Sequence, residues 1–284
     1  MSVTRLGIVG SGIMGSGIAE VAAKAGVDVL LRSRERASAE ATVASLETSL
    51  ARQVGRGKLD AQTAKEIGAR VTATDDLLAL SDCDLVLESV VEDLSVKKEL
   101  FARLDGIVKP DGILATNTST LPVIELAMAT ERPDRVVGIH FFNPALMMRL
   151  VEIVAPLTAS PETIAAASAF AASCGKDVVE VKDRAGFVVN ALLFPYLNNA
   201  VRMLEAGTAK RDDIDTAMKA GCNFPMGPLA LLDLVGLDTS VSILDALYDE
   251  FRDPNYAAIP LLRRMVAAGQ LGRKAGRGFY DYTR

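Results

Sequence analysis

Arg5-Leu6-Gly7-Ile8-Val9-Gly10-Ser11-Gly12-Ile13-Met14-Gly15 is the stretch that decides the fold. Arg5 to Val9 reads as a short buried strand, and it runs straight into GxGxxG. A helix of small residues, Ser16 to Ala25, follows and stops at Gly26. In that order each glycine has its own task. Gly10 permits the tight turn, Gly12 lets backbone amides approach a diphosphate, and Gly15 lets the helix pack closely on the strand. The diphosphate then rests on the helix N-terminus, where unpaired amides and the helix dipole favour negative charge. GxGxxG alone is a weak signal. Between a strand and a helix it predicts a dinucleotide site that includes Ile13 and Met14.

Working outward, the second strand, Asp28 to Leu31, ends at Arg32-Ser33-Arg34. A site for NAD usually has an acid here to hold the ribose 2′-hydroxyl, whereas arginine accommodates a 2′-phosphate. Two guanidinium groups flank a hydroxyl in this chain, which favours NADP(H), with NAD(H) as the alternative because Glu35 follows. The plainer reading is a solvated basic turn. Residues 35–68 are polar and helical in pattern. Their basic members Arg52, Arg56 and Lys58 suit either the phosphates of a carrier thioester or a solvated helix face.

The chain then alternates strand and helix. Leu85-Val86-Leu87 leads to Glu88 and Glu92, then to a helix carrying Lys97. Gly112 to Ala115 leads to Thr116-Asn117-Thr118-Ser119-Thr120. Each polar cluster falls at the C-terminal end of a strand, where ligands bind in such sheets, and the alternation implies a parallel sheet. A last strand, Val178 to Val181, ends near Arg184, and helical spacing takes over from Gly186. The expected architecture is α/β: a Rossmann-type, mostly parallel sheet domain over residues 1–184, then an all-helical C-terminal domain over 185–284. That second domain is too apolar to cover all its own faces, which predicts a homodimer made through it.

The only histidine, His140, ends the apolar run Arg135 to Ile139, just before Asn143-Pro144 breaks regular structure. Glu152 lies within a second apolar run, Leu150 to Val154, where burial of a carboxylate is costly unless a donor meets it. His140 is the obvious donor. The alternative is a core histidine bonded to a backbone carbonyl, with Glu152 on a wetted sheet edge.

Composition excludes several classes. A net charge of −5 argues against a nucleic-acid partner. Three scattered cysteines and one histidine suggest neither a disulfide framework nor a zinc site. No apolar run reaches the ~18 residues of a membrane span. With a strand beginning at Arg5, no signal peptide is expected, and the chain reads as cytoplasmic.

Taken together, these motifs resemble the 3-hydroxyacyl-CoA dehydrogenase family. The likeness covers nearly the whole chain: the glycine motif with Met14, Asn117-Thr118-Ser119, and Gly138-Ile139-His140-Phe141-Phe142-Asn143-Pro144. It continues through Gly186 to Asn190, Asp213 to Met218, Pro225-Met226-Gly227-Pro228, Asp233 to Asp238 and Gly276 to Tyr280. The resemblance implies that His140 is the general base, that Glu152 orients it, and that Ser119, Asn143 and Asn190 line the reacting centre. It also implies that Glu92, Lys97, Asn117, Ser119, Asn143 and Lys274 touch the cofactor, and that the substrate is an acyl thioester of CoA. Two departures stand out. Ser33 replaces the usual acid, and Ala145-Leu146-Met147-Met148 replaces x-Pro-x-Met. The second leaves open a carrier-protein thioester or an unusual acyl chain. Two other readings compete: a β-hydroxyacid dehydrogenase, which would need a catalytic lysine helix, and a non-catalytic dinucleotide-binding relative.

Overall fold

The computed structural model describes residues 2–283. Contacts divide the chain into two compact units, Met1–Asp183 and Arg184–Arg284. The first contains strands β1 (Arg5–Val9), β2 (Asp28–Arg32), β3 (Val71–Thr74), β4 (Leu85–Glu88), β5 (Ile113–Thr116), β6 (Val136–Phe141), β7 (Leu150–Ala155) and β8 (Asp177–Lys182). Its helices are α1 (Ile13–Lys24), α2 (Arg36–Gly55), α3 (Ala61–Ala69), α4 (Leu94–Asp105), α5 (Val123–Ala127) and α6 (Pro161–Ser173). The second contains α7 (Val189–Glu205), α8 (Arg211–Cys222), α9 (Pro228–Val235), α10 (Leu237–Phe251) and α11 (Pro260–Ala267).

The strands form a single eight-stranded sheet in the order β3-β2-β1-β4-β5-β6-β7-β8. The chain winds from β1 outward to β3, then returns to the other side of β1 through β4. The two halves therefore diverge between β1 and β4, and ligands bind at such a switch point, beyond the strands' C-terminal ends. Central strands are buried on both faces, as in β4 and β5, which explains their continuous apolar runs. Leu6, Ile8, Leu31, Leu85 and Leu87 form the floor on which Ile18, Ala19 and Ala22 of α1 pack.

Two details differ from the sequence reading. The first helix starts at Ile13, not Ser16, with Gly12 as its N-cap, so the helix N-terminus lies inside the glycine motif. β3 was not expected; it is four residues long and buried only at its two ends, Val71 and Thr74. The sheet is mostly parallel, as expected, and the exception is β7, which runs antiparallel to β6. Only the loop 142–149 links those two strands, and so short a loop without a helix cannot carry the chain back for parallel pairing.

The helical unit has a separate core built on Phe194, Leu197, Leu229, Leu232, Leu244 and Leu262. Two buried aspartates organise it. Asp215 accepts from the amides of Leu229 and Ala230 at the start of α9, and from the Tyr280 hydroxyl. Asp233 accepts from the amides of Phe279 and Tyr280. A Cβ on Gly227 would lie 2.2 Å from Asp215 Cγ, and one on Gly278 would lie 1.9 Å from Asp233 Oδ1. The Pro-Met-Gly-Pro and Gly-Arg-Gly-Phe-Tyr motifs are thus packing requirements of these two carboxylates. No helix among the described residues is long and apolar enough to cross a membrane.

Candidate active site

The antiparallel pairing of β6 and β7 sets His140 directly opposite Glu152. Residues opposite one another on neighbouring strands project to the same face, so register alone brings the two side chains together. His140 Nδ1 is 2.8 Å from Glu152 Oε2, and both residues are buried. At 1 % exposure Glu152 is not on a wetted edge, which removes that alternative. The other ring nitrogen, Nε2, lies 3.0 Å from Ser119 Oγ. Serine, imidazole and carboxylate therefore form one continuous line, and the carboxylate end is the drier one. With Glu152 ionised it accepts from Nδ1–H, which leaves Nε2 to exchange a proton with Ser119 or with a ligand beside it.

Ser119 is held by a second chain of polar contacts. Glu92 Oε1 accepts from Thr118 Oγ1 and from the amides of Ser119 and Thr120, at 2.9 and 3.3 Å for the two amides. Glu92 Oε2 is 3.1 Å from Lys97 Nζ, which is also 2.6 Å from Glu88 Oε1. Glu88 is wholly buried and receives Thr116 Oγ1 and the Val90 amide as well. Burial opposes ionisation of Glu92, but Lys97 and the donors from Thr118 and Ser119 outweigh it, so its carboxyl lies below the ordinary glutamate value. Asn117 Oδ1 accepts from the Phe141 amide at 2.8 Å, tying the end of β5 to the end of β6.

The glycine motif opens onto a cleft of 660 Å3. Its walls include Gly10, Ser11 and Gly12, then Arg32, Ser33 and Arg34 from the end of β2, and Glu99, Leu100 and Arg103 from α4. The glycines fit a dinucleotide here for separable reasons. Gly10 has φ +122°, and a Cβ on it would meet Ser89 O at 2.3 Å. A Cβ on Gly15 would meet Gly10 O at 1.9 Å. A Cβ on Gly12 would meet nothing within 4 Å, so that position faces open space at the N-terminus of α1. Ile13 is exposed beside it, while Met14 packs against the core. These residues would hold the diphosphate and adenosine portions of a nicotinamide dinucleotide.

Sequence reasoning placed most of these groups but not all. Arg32, Ser33, Arg34, Gly10 and Gly12 line the cleft; Ser119, His140 and Glu152 form the polar line; Glu92, Lys97 and Asn117 brace it. Asn143 is exposed at the cis Asn143–Pro144 bond, just past β6. Arg52 and Arg56 are exposed at the C-terminal end of α2 and belong to neither the cleft wall nor the polar line. Asn190 and Lys274 belong to the helical unit: Asn190 is buried in the first turn of α7, and Lys274 Nζ donates to Asp238 at 2.8 Å. Glu88 and Thr118 were placed in the polar clusters but given no role, and Arg103 was missed. Glu88 ends a strand as a charge within an apolar run, the same signal that singled out Glu152, and could have been found by it.

Comparisons with known proteins identify the family that shares this fold. The family model for the 3-hydroxyacyl-CoA dehydrogenase NAD binding domain matches residues 5–184, and that for the 3-hydroxyacyl-CoA dehydrogenase C-terminal domain matches 186–282. A 3-hydroxybutyryl-CoA dehydrogenase of Mycobacterium tuberculosis is 50 % identical over 283 residues, 99 % of each chain. One from Clostridioides difficile is 46 % identical over 280 residues, 99 % of this chain and 100 % of that one. The crystal structure of (S)-3-hydroxybutyryl-CoA dehydrogenase from Ralstonia eutropha superposes with a TM-score of 0.97 at 42 % identity, covering all of both chains. With both family models matched in order and full-length relatives at this identity, the chain belongs to the 3-hydroxyacyl-CoA dehydrogenase family.

Proposed function

We propose that this chain interconverts (S)-3-hydroxyacyl and 3-ketoacyl thioesters of CoA, with a four-carbon acyl group as in the 3-hydroxybutyryl-CoA dehydrogenases it is similar to, and that it uses NADP(H). The observation that carries the reaction is the line Ser119 Oγ, His140 Nε2, His140 Nδ1, Glu152 Oε2, with contacts of 3.0 and 2.8 Å. Oxidation of a secondary alcohol removes a hydride from carbon and a proton from oxygen. Bound nicotinamide supplies the hydride acceptor, or the donor in the reverse direction. His140 Nε2 takes the alcohol proton, or returns it during reduction, and Glu152 stabilises the imidazolium that forms. Ser119 donates to the substrate oxygen and fixes its distance from the ring. In the reductive direction the same groups hold the ketone oxygen and protonate it as negative charge develops.

The cofactor preference rests on Arg32, Ser33 and Arg34 in the cleft wall, where an acid would be needed for a free 2′-hydroxyl. By the family resemblance, Asn143 and Asn190 are assigned to the reacting centre, and Asn143 and Lys274 to the cofactor. The helical unit is assigned to self-association, because Leu192, Met203, Phe224 and Leu234 are exposed on it. Following reduced-cofactor absorbance with acetoacetyl-CoA and either NADPH or NADH tests the reading. Turnover with NADPH exceeding that with NADH supports it. No turnover with either cofactor contradicts the reaction, and a preference for NADH contradicts the cofactor choice alone.

A further inference from the structure

Two separate elements bring arginine to the cleft. Arg32 and Arg34 come from the end of β2, and Arg103 comes from the last turn of α4, about seventy residues further along the chain, yet all three line one cavity. None of the three makes an ion pair within 4 Å among the described residues. The Nε of Arg32 is spent on the Asp75 carbonyl at 3.2 Å, which fixes that side chain and leaves its terminal nitrogens for a ligand. Like charges gathered in a partly buried space repel one another. Burial, with the charge of Arg103, holds the Arg32 guanidinium below its ordinary value, and Asp75 does not fully offset this. Such a cluster is relieved by an anion with more than one charge. The cleft already opens onto the glycine turn that receives a diphosphate, so a second anion must belong to the same ligand.

We propose that Arg103 is a specificity-determining residue, the third guanidinium of a clamp that selects a phosphomonoester on the adenosine ribose. The proposal rests on the NADP(H) reading above and extends it to a residue outside the turn after β2. Geometry explains why the extra arginine comes from α4. The turn after β2 supplies guanidinium groups from one element, whereas α4 brings another from a separate element lining the same cleft. Arginine suits that position because its planar fork engages two phosphate oxygens at once. The plainer account is that Arg103 only complements the dipole at the C-terminus of α4, in which case it is indifferent to the ligand. Glu99 on the same helix also lines the cleft and limits the net positive charge there.

Titration calorimetry with adenosine 2′,5′-bisphosphate and adenosine 5′-monophosphate separates these accounts without turnover. The wild-type protein should bind the bisphosphate more tightly. Arg103→Gln should remove roughly tenfold of that preference, the scale of one charge-assisted hydrogen bond, with the monophosphate affinity unchanged. Arg103→Lys should restore part of it. If the wild-type protein does not distinguish the two ligands, the NADP(H) reading is wrong and Arg103 has no phosphate to select. If it does distinguish them and Arg103→Gln keeps the full preference, or weakens both ligands equally, the role of Arg103 is overturned while the NADP(H) reading stands.

Discussion

Lys97 shows how the residue scale governs the site. Its ammonium group is 1 % exposed and lies between Glu88, which is fully buried, and Glu92, which holds the Ser119 turn. Removing one partner of a buried pair leaves an uncompensated charge, a change that costs about 3–5 kcal/mol, whereas removing both charges together can be nearly neutral. Lys97→Met should therefore destabilise the protein severely, and Lys97→Met with Glu88→Gln should recover most of the loss. Urea unfolding of the two variants checks this, and equal stability of the single and double variants would contradict it. The double variant should still lose activity, because Glu92 then lacks the cation that holds it while it braces Ser119. The resemblance assigned Lys97 to the cofactor; its contacts in the structure are to these two carboxylates.

The glycine motif makes a separable prediction at the scale of the element. Gly12 and Gly15 belong to one turn but face different surroundings. A methyl group at Gly15 collides with the Gly10 carbonyl, while one at Gly12 meets only open space in the cleft. Gly15→Ala should lower the melting temperature, since forced overpacking costs about 1–3 kcal/mol. Gly12→Ala should leave it nearly unchanged and weaken dinucleotide binding. Calorimetric melting and cofactor titration on each variant distinguish the two, and a Gly12→Ala protein with wild-type affinity would contradict the assignment of the diphosphate to this turn. Both glycines could be read in the sequence because strand, turn and helix are contiguous there. β3 could not, because Val71-Thr72-Ala73-Thr74 is too short and too polar to stand out. The antiparallel return of β7 was half visible: the short link through Asn143-Pro144 leaves no room for a crossover helix, but regular alternation elsewhere suggested otherwise. Glu152 was found because a charge in an apolar run is costly, and its partner because the chain has one histidine. Arg103 was invisible, since only the winding of the sheet brings α4 and the end of β2 to one cleft.

At the scale of the whole molecule, the sheet unit contributes the cleft and the Ser119–His140–Glu152 line, and the helical unit contributes a core organised by Asp215 and Asp233. Exposed Leu192, Met203, Phe224 and Leu234 on the helical unit lead us to expect a dimer, and light scattering at micromolar concentration should return twice the chain mass. A monomer would contradict that assignment without touching the chemistry. The chemistry is tested most directly by a cycle of His140→Gln, Glu152→Gln and the double variant, read as kcat beside cofactor affinity and melting temperature. His140→Gln should lower kcat by about 10²–10⁴, the range for general acid–base catalysis. Glu152→Gln should also lower it severely, and the double variant should be little worse than His140→Gln, because both residues serve one proton transfer. Cofactor affinity should hardly move, since the dinucleotide is proposed to be held by the glycine turn and the arginine cleft. A stable, fully active His140→Gln protein, or losses that simply multiply, would contradict the account.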